Sequence, residues 1–172
     1  LSAERLWQQG QFEAAAQEYR SVVNLAGSDA LGLHAKERLA FTEAYSLKHP
    51  QIAKQYFEEL INSPDAAMVQ KRVWREHRAW LLVDELQRAE EGLSILLELL
   101  DTEDSPQRKW DLRYRLSHAY ARHGAFDRAV GCLKGEIRPE AVLWKLQLLS
   151  MKRDLPLGTI GQEVQDISDR IG

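Results

Sequence analysis

Between residues 12 and 22 the apolar positions Phe12, Ala15, Tyr19 and Val22 recur at three- and four-residue steps. That spacing lays side chains along one stripe of an α-helix. Gly10 stands in front of the stripe and breaks a helix, so the segment reads as a helix ending near Gln9, a turn, and a second helix starting near Phe12. The same order returns at Gly124, Phe126 and Ala129, with Tyr120 in the place of Leu6 and Leu133 in the place of Tyr19. Gly10 and Gly124 are 114 residues apart, so a continuous array places two more units between them, each about 38 residues long.

Two stretches sit where that spacing asks for them. "TEAYSLKHPQIAKQYFEELINSP" supplies Ala53 and Phe57 for Ala15 and Tyr19, with His49-Pro50 making the turn. "AWLLVDELQRAEEGLSILLELLDTEDSP" supplies Gly92 and Leu96 and closes on Pro106. From Ala15 through Ala53 and Gly92 to Ala129 the steps are 38, 39 and 37 residues. Small residues at these points, matched on the preceding helices by Ala3, Thr42, Ser117 and Ala119, let two helix backbones approach closely. The middle units lack the turn glycine, so local opening is expected to be easiest around residues 48–66.

The expected fold is all-α: a solenoid of about four antiparallel helix pairs, over residues 1–28, 30–65, 67–106 and 108–136, followed by C-terminal capping helices over 137–172. A helix from Pro139 carries Ala141, Trp144, Leu148 and Met151, and a last short helix is expected with Thr159 near its cap. An atypical end suits a solenoid, which has an open core to cover.

The order small, large, Gly, aromatic, Ala, aromatic in the first and last units resembles the tetratricopeptide repeat (TPR) family over roughly residues 1–136. The period of 37 to 39 residues exceeds the family's usual 34, which implies longer helices or loops. The resemblance implies that the first helix of each repeat lines a concave groove and the second forms the outer wall. It also implies a non-enzymatic scaffold that binds a protein segment. Repeats that hold the acidic tails of heat-shock chaperones carry a Lys and an Asn four apart on the groove helix; this chain has Tyr114 and His118 there in the fourth unit, and His77 and Leu81 in the third.

Composition narrows the function classes. The 172 residues carry a formal net charge of -3, which gives no global case for nucleic acid or a membrane surface. The single cysteine, Cys132, excludes an intramolecular disulfide and reads as a small buried hydrophobe. No apolar run reaches the ~20 residues that span a bilayer. The first residue is Leu1, which reads as a processed or excised chain with an upstream anchor left open; a cytoplasmic setting is favoured over a periplasmic or membrane-tethered one. Phosphate-binding, metalloprotease and nucleophile-elbow signatures are missing, and His118 and His123, five apart, fall on different helix faces. No enzyme activity, cofactor or metal is expected.

Charge is unevenly placed. Residues 70–80 hold four basic residues against one acid, residues 108–123 hold five against one, and residues 84–104 hold eight acids against one base. The resemblance turns Trp74, His77 and Arg78 of the third unit and Tyr114, Arg115, His118 and Arg122 of the fourth toward the groove. A groove so lined would take a protein or peptide segment, an acidic one by charge-assisted hydrogen bonds. It would hold no small-molecule substrate. Two rivals remain: nucleic acid on the basic helices 70–80 and 108–123, and homo-oligomers formed by stacking of solenoid ends. A membrane enters only through a segment outside this chain.

Overall fold

A computed structural model describes residues 2–27 and 29–152, with Gly161 and Gln165. The short helix expected around Thr159 lies outside the described residues. The elements are α1 (Ser2–Gln8), α2 (Phe12–Ala26), α3 (Ala30–Phe41), which runs into a π-helical turn (Thr42–Ser46), α4 (Pro50–Asn62), α5 (Met68–Asp84), α6 (Ala89–Asp101), α7 (Pro106–Arg122), α8 (Phe126–Cys132) and α9 (Pro139–Met151). Every described element is helical. The starts follow capping chemistry: Asp29 accepts the Gly32 amide at 2.8 Å in front of α3, and Pro50, Pro106 and Pro139 occupy first-turn positions that need no amide hydrogen.

The chain divides into two compact units, residues 1–99 and 100–172. In the first, Ala3, Ala15, Ala16, Tyr19, Ala35 and Leu39 form one core cluster. Ala40, Ala44, Ala53, Phe57, Leu60, Ala66, Trp74 and Leu81 form another. The small residues sit where two helices cross. Ala15 and Ala53 have no exposed surface, and a Cβ added at Gly92 would stand 2.5 Å from the carbonyl oxygen of Ala79, so the α6 backbone lies directly against α5. In the second unit Ala129 is fully buried. The Ser117 hydroxyl donates to the Ala129 carbonyl at 2.8 Å and accepts from Trp144 Nε1 at 3.0 Å, tying α7, α8 and α9 together. Along α9, Ala141 and Leu148 are buried as expected, whereas Met151 is exposed.

The turns inside the pairs repeat as well. Gly10 and Gly124 have φ of +75° and +73°. Around Gly10 the amides of Gly10 and Gln11 donate to the carbonyls of Trp7 and Leu6; around Gly124 those of Gly124 and Ala125 donate to Ala121 and Tyr120. This is the double hydrogen bond that closes a helix on a left-handed residue. In the two middle repeats the left-handed residues are Lys48 (φ 58°) and Gln87 (φ 54°), so the turn in the second repeat falls on Lys48, one residue before the expected His49-Pro50. From Gly10 through Lys48 and Gln87 to Gly124 the steps are again 38, 39 and 37 residues.

Candidate partner-binding surfaces

In the first unit the starts of α3 and α5 enclose a cleft of about 600 Å³ lined by Asp29, Ala30, Leu33, His34, Glu37, Asp65 and Gln70. Residues 30, 33, 34 and 37 follow the three- and four-residue steps of one helix face, so a single stripe of α3 makes one wall. The Glu37 carboxylate is held in place by Trp74, whose Nε1–H donates to it at 2.7 Å, and His34 Nδ1 lies 4.0 Å from the same carboxylate. Leu31, Met68 and Val69, on the opening turns of the two helices, are 61%, 78% and 77% exposed. Further along α3 and α5 the Tyr45 hydroxyl and His77 Nδ1 share a hydrogen bond of 2.6 Å. The His77 ring also meets Phe41 edge-on, with centroids 4.7 Å apart, and stacks on Phe57 at 6.0 Å. His77 is thus a half-buried rim residue of an aromatic cluster.

Two residues of the sequence-based set stand elsewhere than expected. Trp74 is 1% exposed: seven residues before Leu81 on α5, it belongs to the core stripe and offers no ring to a partner. Arg78 flanks that stripe, and its guanidinium lies 3.7 Å from Glu58 of α4 and 4.0 Å from Glu91 of α6. It therefore does point toward acids of neighbouring helices, one of them in the acidic block 84–104. Arg75 of α5 pairs likewise, with Glu98 at 2.8 Å.

In the second unit α7 and α9 build a ladder of rings. Arg138 covers Trp110 at 4.5 Å, Trp110 meets Tyr114 at 5.1 Å, Tyr114 meets His118 edge-on at 4.7 Å, and His118 stacks on Trp144 at 4.1 Å. Burial, followed by the charge of Arg122, holds the His118 pKa below its ordinary value of 6.5. Arg115 and Arg122 are exposed on α7. Cys132 is half-buried, and burial pushes its thiol up to about 11, so little reactive thiolate is present at neutral pH.

Sequence reasoning missed the acidic cleft and the place of Trp144 in the ladder. The register applied to the third unit falls on Ala35, Arg38 and Leu39 in the second, so it does not point to His34 and Glu37. Trp144 joins the ladder through a helix outside the repeat pattern, and nothing in the periodicity marks it.

Among the described residues no group of three or more His, Cys, Asp or Glu could hold a metal ion. No described helix is long and apolar enough to cross a membrane. No family model matches the chain, and no curated protein matches it. Among solved structures, that of the MamA RS-1 ArsTM double mutant superposes with a TM-score of 0.68 at 12% sequence identity, covering 97% of this chain and 89% of that one. At that identity the likeness shows the fold: an all-helical, TPR-like repeat architecture.

Proposed function

We propose that the chain is a non-enzymatic protein-interaction scaffold, which holds a segment of a partner protein on the faces of its first helices and so supports assembly of a larger complex. The observation that carries this reading is the cleft at the starts of α3 and α5, where polar and apolar side chains of two first helices converge around about 600 Å³ of open space. In the second unit Tyr114, Arg115, His118 and Arg122 lie on one face of α7 and set positive charge beside aromatic rings. That combination suits a carboxylate-bearing segment. His77 with Tyr45 completes the contact set in the first unit; Trp74 and Arg78 take no direct part.

The test is crosslinking of the intact chain to its partners followed by calorimetric titration with a synthetic peptide of the crosslinked segment. Saturable one-to-one binding of that peptide, with crosslinks on α3, α5 or α7, is the expected result. Crosslinks confined to α2, α4, α6 and α8 would move the binding surface to the second helices. Affinity for nucleic acid that falls steeply with salt would favour the nucleic-acid rival, and scattering mass that rises with concentration would favour self-assembly.

A further inference from the structure

We infer that the cleft between α3 and α5 takes a basic, amphipathic segment, with a Lys or Arg side chain among Asp29, Glu37 and Asp65 and apolar side chains against Leu31, Met68 and Val69. This rests on the scaffold reading and names the partner chemistry of its first-unit surface.

Three carboxylates and His34 line the cleft, and no Lys or Arg lines it. Their acceptor capacity is only partly used. An ionised carboxylate offers about four lone-pair sites. Asp29 accepts one amide hydrogen, from Gly32, and Glu37 accepts one indole hydrogen, from Trp74, with His34 Nδ1 standing 4.0 Å away. Asp29 is exposed and Glu37 half-buried, so each keeps unused acceptor capacity, and Asp65 is an exposed residue of the loop before α5. The Trp74 hydrogen bond also fixes Glu37 from a fully buried position, so a cation meeting Glu37 does not have to order that carboxylate.

The opposing effect is the positive end of each helix. A helix N-terminus carries roughly +0.5 of an elementary charge, so two of them supply about +1 against three carboxylates. Asp29 already caps α3 and satisfies part of that field. The cation wins, and a segment rich in Asp or Glu would be repelled. Apolar contact comes from the exposed Leu31, Met68 and Val69, on the opening turns of α3 and α5 beside the cleft lining. A partner with alternate basic and apolar positions satisfies both features.

The experiment uses the full chain labelled with ¹⁵N and three synthetic peptides of equal length and equal leucine content, bearing Lys, Gln or Glu at the remaining positions. With the Lys peptide, amides of residues 29–37 and 65–70 should shift saturably. The apparent affinity should fall at least tenfold in Asp65→Lys combined with Glu37→Gln. Because Glu37 holds Trp74, the single variant Asp65→Lys, in the loop, provides a second reading and should weaken binding about threefold or more. Shifts of equal size with the Glu peptide overturn the inference, as do Lys-peptide shifts confined to the acidic stretch 98–104, or no shift at 29–37 and 65–70. These outcomes leave the scaffold reading standing if a crosslinked natural segment binds elsewhere on α5 or α7, and that reading fails on its own when no segment binds at all.

Discussion

The turns of the end repeats and those of the middle repeats solve the same problem differently. At Gly10 and Gly124 a residue without a Cβ takes the left-handed conformation at little cost, and two backbone hydrogen bonds close the helix. At Lys48 and Gln87 a side-chain-bearing residue takes that conformation, and the hydrogen bonds reach one residue further back: His49 N–H to Glu43, and Arg88 N–H to Leu82. The first helix of each middle unit thus ends in a wider turn, in the second unit as a full π-helical stretch from Thr42 to Ser46. The second unit adds a side-chain tie, since the buried Glu43 carboxylate lies 3.0 Å from Arg20 and 2.8 Å from His49 Nδ1. In the third unit the equivalent position is Leu82, fully buried, with no such tie. What the repeats share is therefore the crossing of small residues and the place of the left-handed residue; the glycine is one way of meeting the second requirement.

That comparison can be broken most severely at the shared crossing. Ala129→Leu in an end repeat and Gly92→Leu in a middle one should each cost about 3 kcal/mol, because both sites are buried and the facing backbone cannot retreat without separating two helices. Denaturant midpoints that fall in one variant only would show that the two repeats do not use the same crossing. Next in size is Glu43→Gln. Its partners Arg20 and His49 are about half exposed and can regain water, so the loss should lie below that of a fully buried ion pair, at about 2 kcal/mol.

The turn residues themselves give smaller effects of opposite sign. Gly10→Ala and Gly124→Ala should cost about 1 to 2 kcal/mol from backbone strain alone, since an added Cβ meets nothing within 4 Å. Lys48→Gly and Gln87→Gly relieve that strain but give the unfolded chain more freedom, worth about 0.5 to 1 kcal/mol. A net gain of about 0.5 kcal/mol is expected for each. A loss would mean that the wide turn needs its side chain.

The smallest effect concerns pH. The native His118 binds its proton more weakly than the unfolded chain does, because it is buried and faces Arg122. The stability it contributes is full above pH 6.5 and declines as pH falls from there through the lower native value. Urea midpoints at pH 7.5 and 5.5 should therefore differ less in His118→Phe than in the natural chain.

Periodicity carried the architecture because helix packing imposes its own spacing. Ala15, Ala53, Gly92 and Ala129 could be aligned by counting, since only a small side chain fits where backbones meet. The left-handed turns were half legible: glycine announces itself, whereas Lys48 and Gln87 look like ordinary helix formers and are revealed only by the spacing. The site was harder to read for a physical reason. Charge counts along α5 do not say which arginines are already matched, and the acids that match Arg78 come from Glu58 and Glu91, far apart in sequence. The acidic cleft likewise joins Asp29 and Glu37 to Asp65 across a helix pair, which no local window contains.

The central claim is that a partner is held on the first helices of the repeats. It is tested most directly by amide hydrogen exchange on the intact chain with and without the crosslinked partner segment. The account predicts added protection on α3, on α5 and on α7 around Tyr114 to Arg122, with α2, α4, α6 and α8 unchanged. Protection confined to α2, α4, α6 and α8 would contradict it.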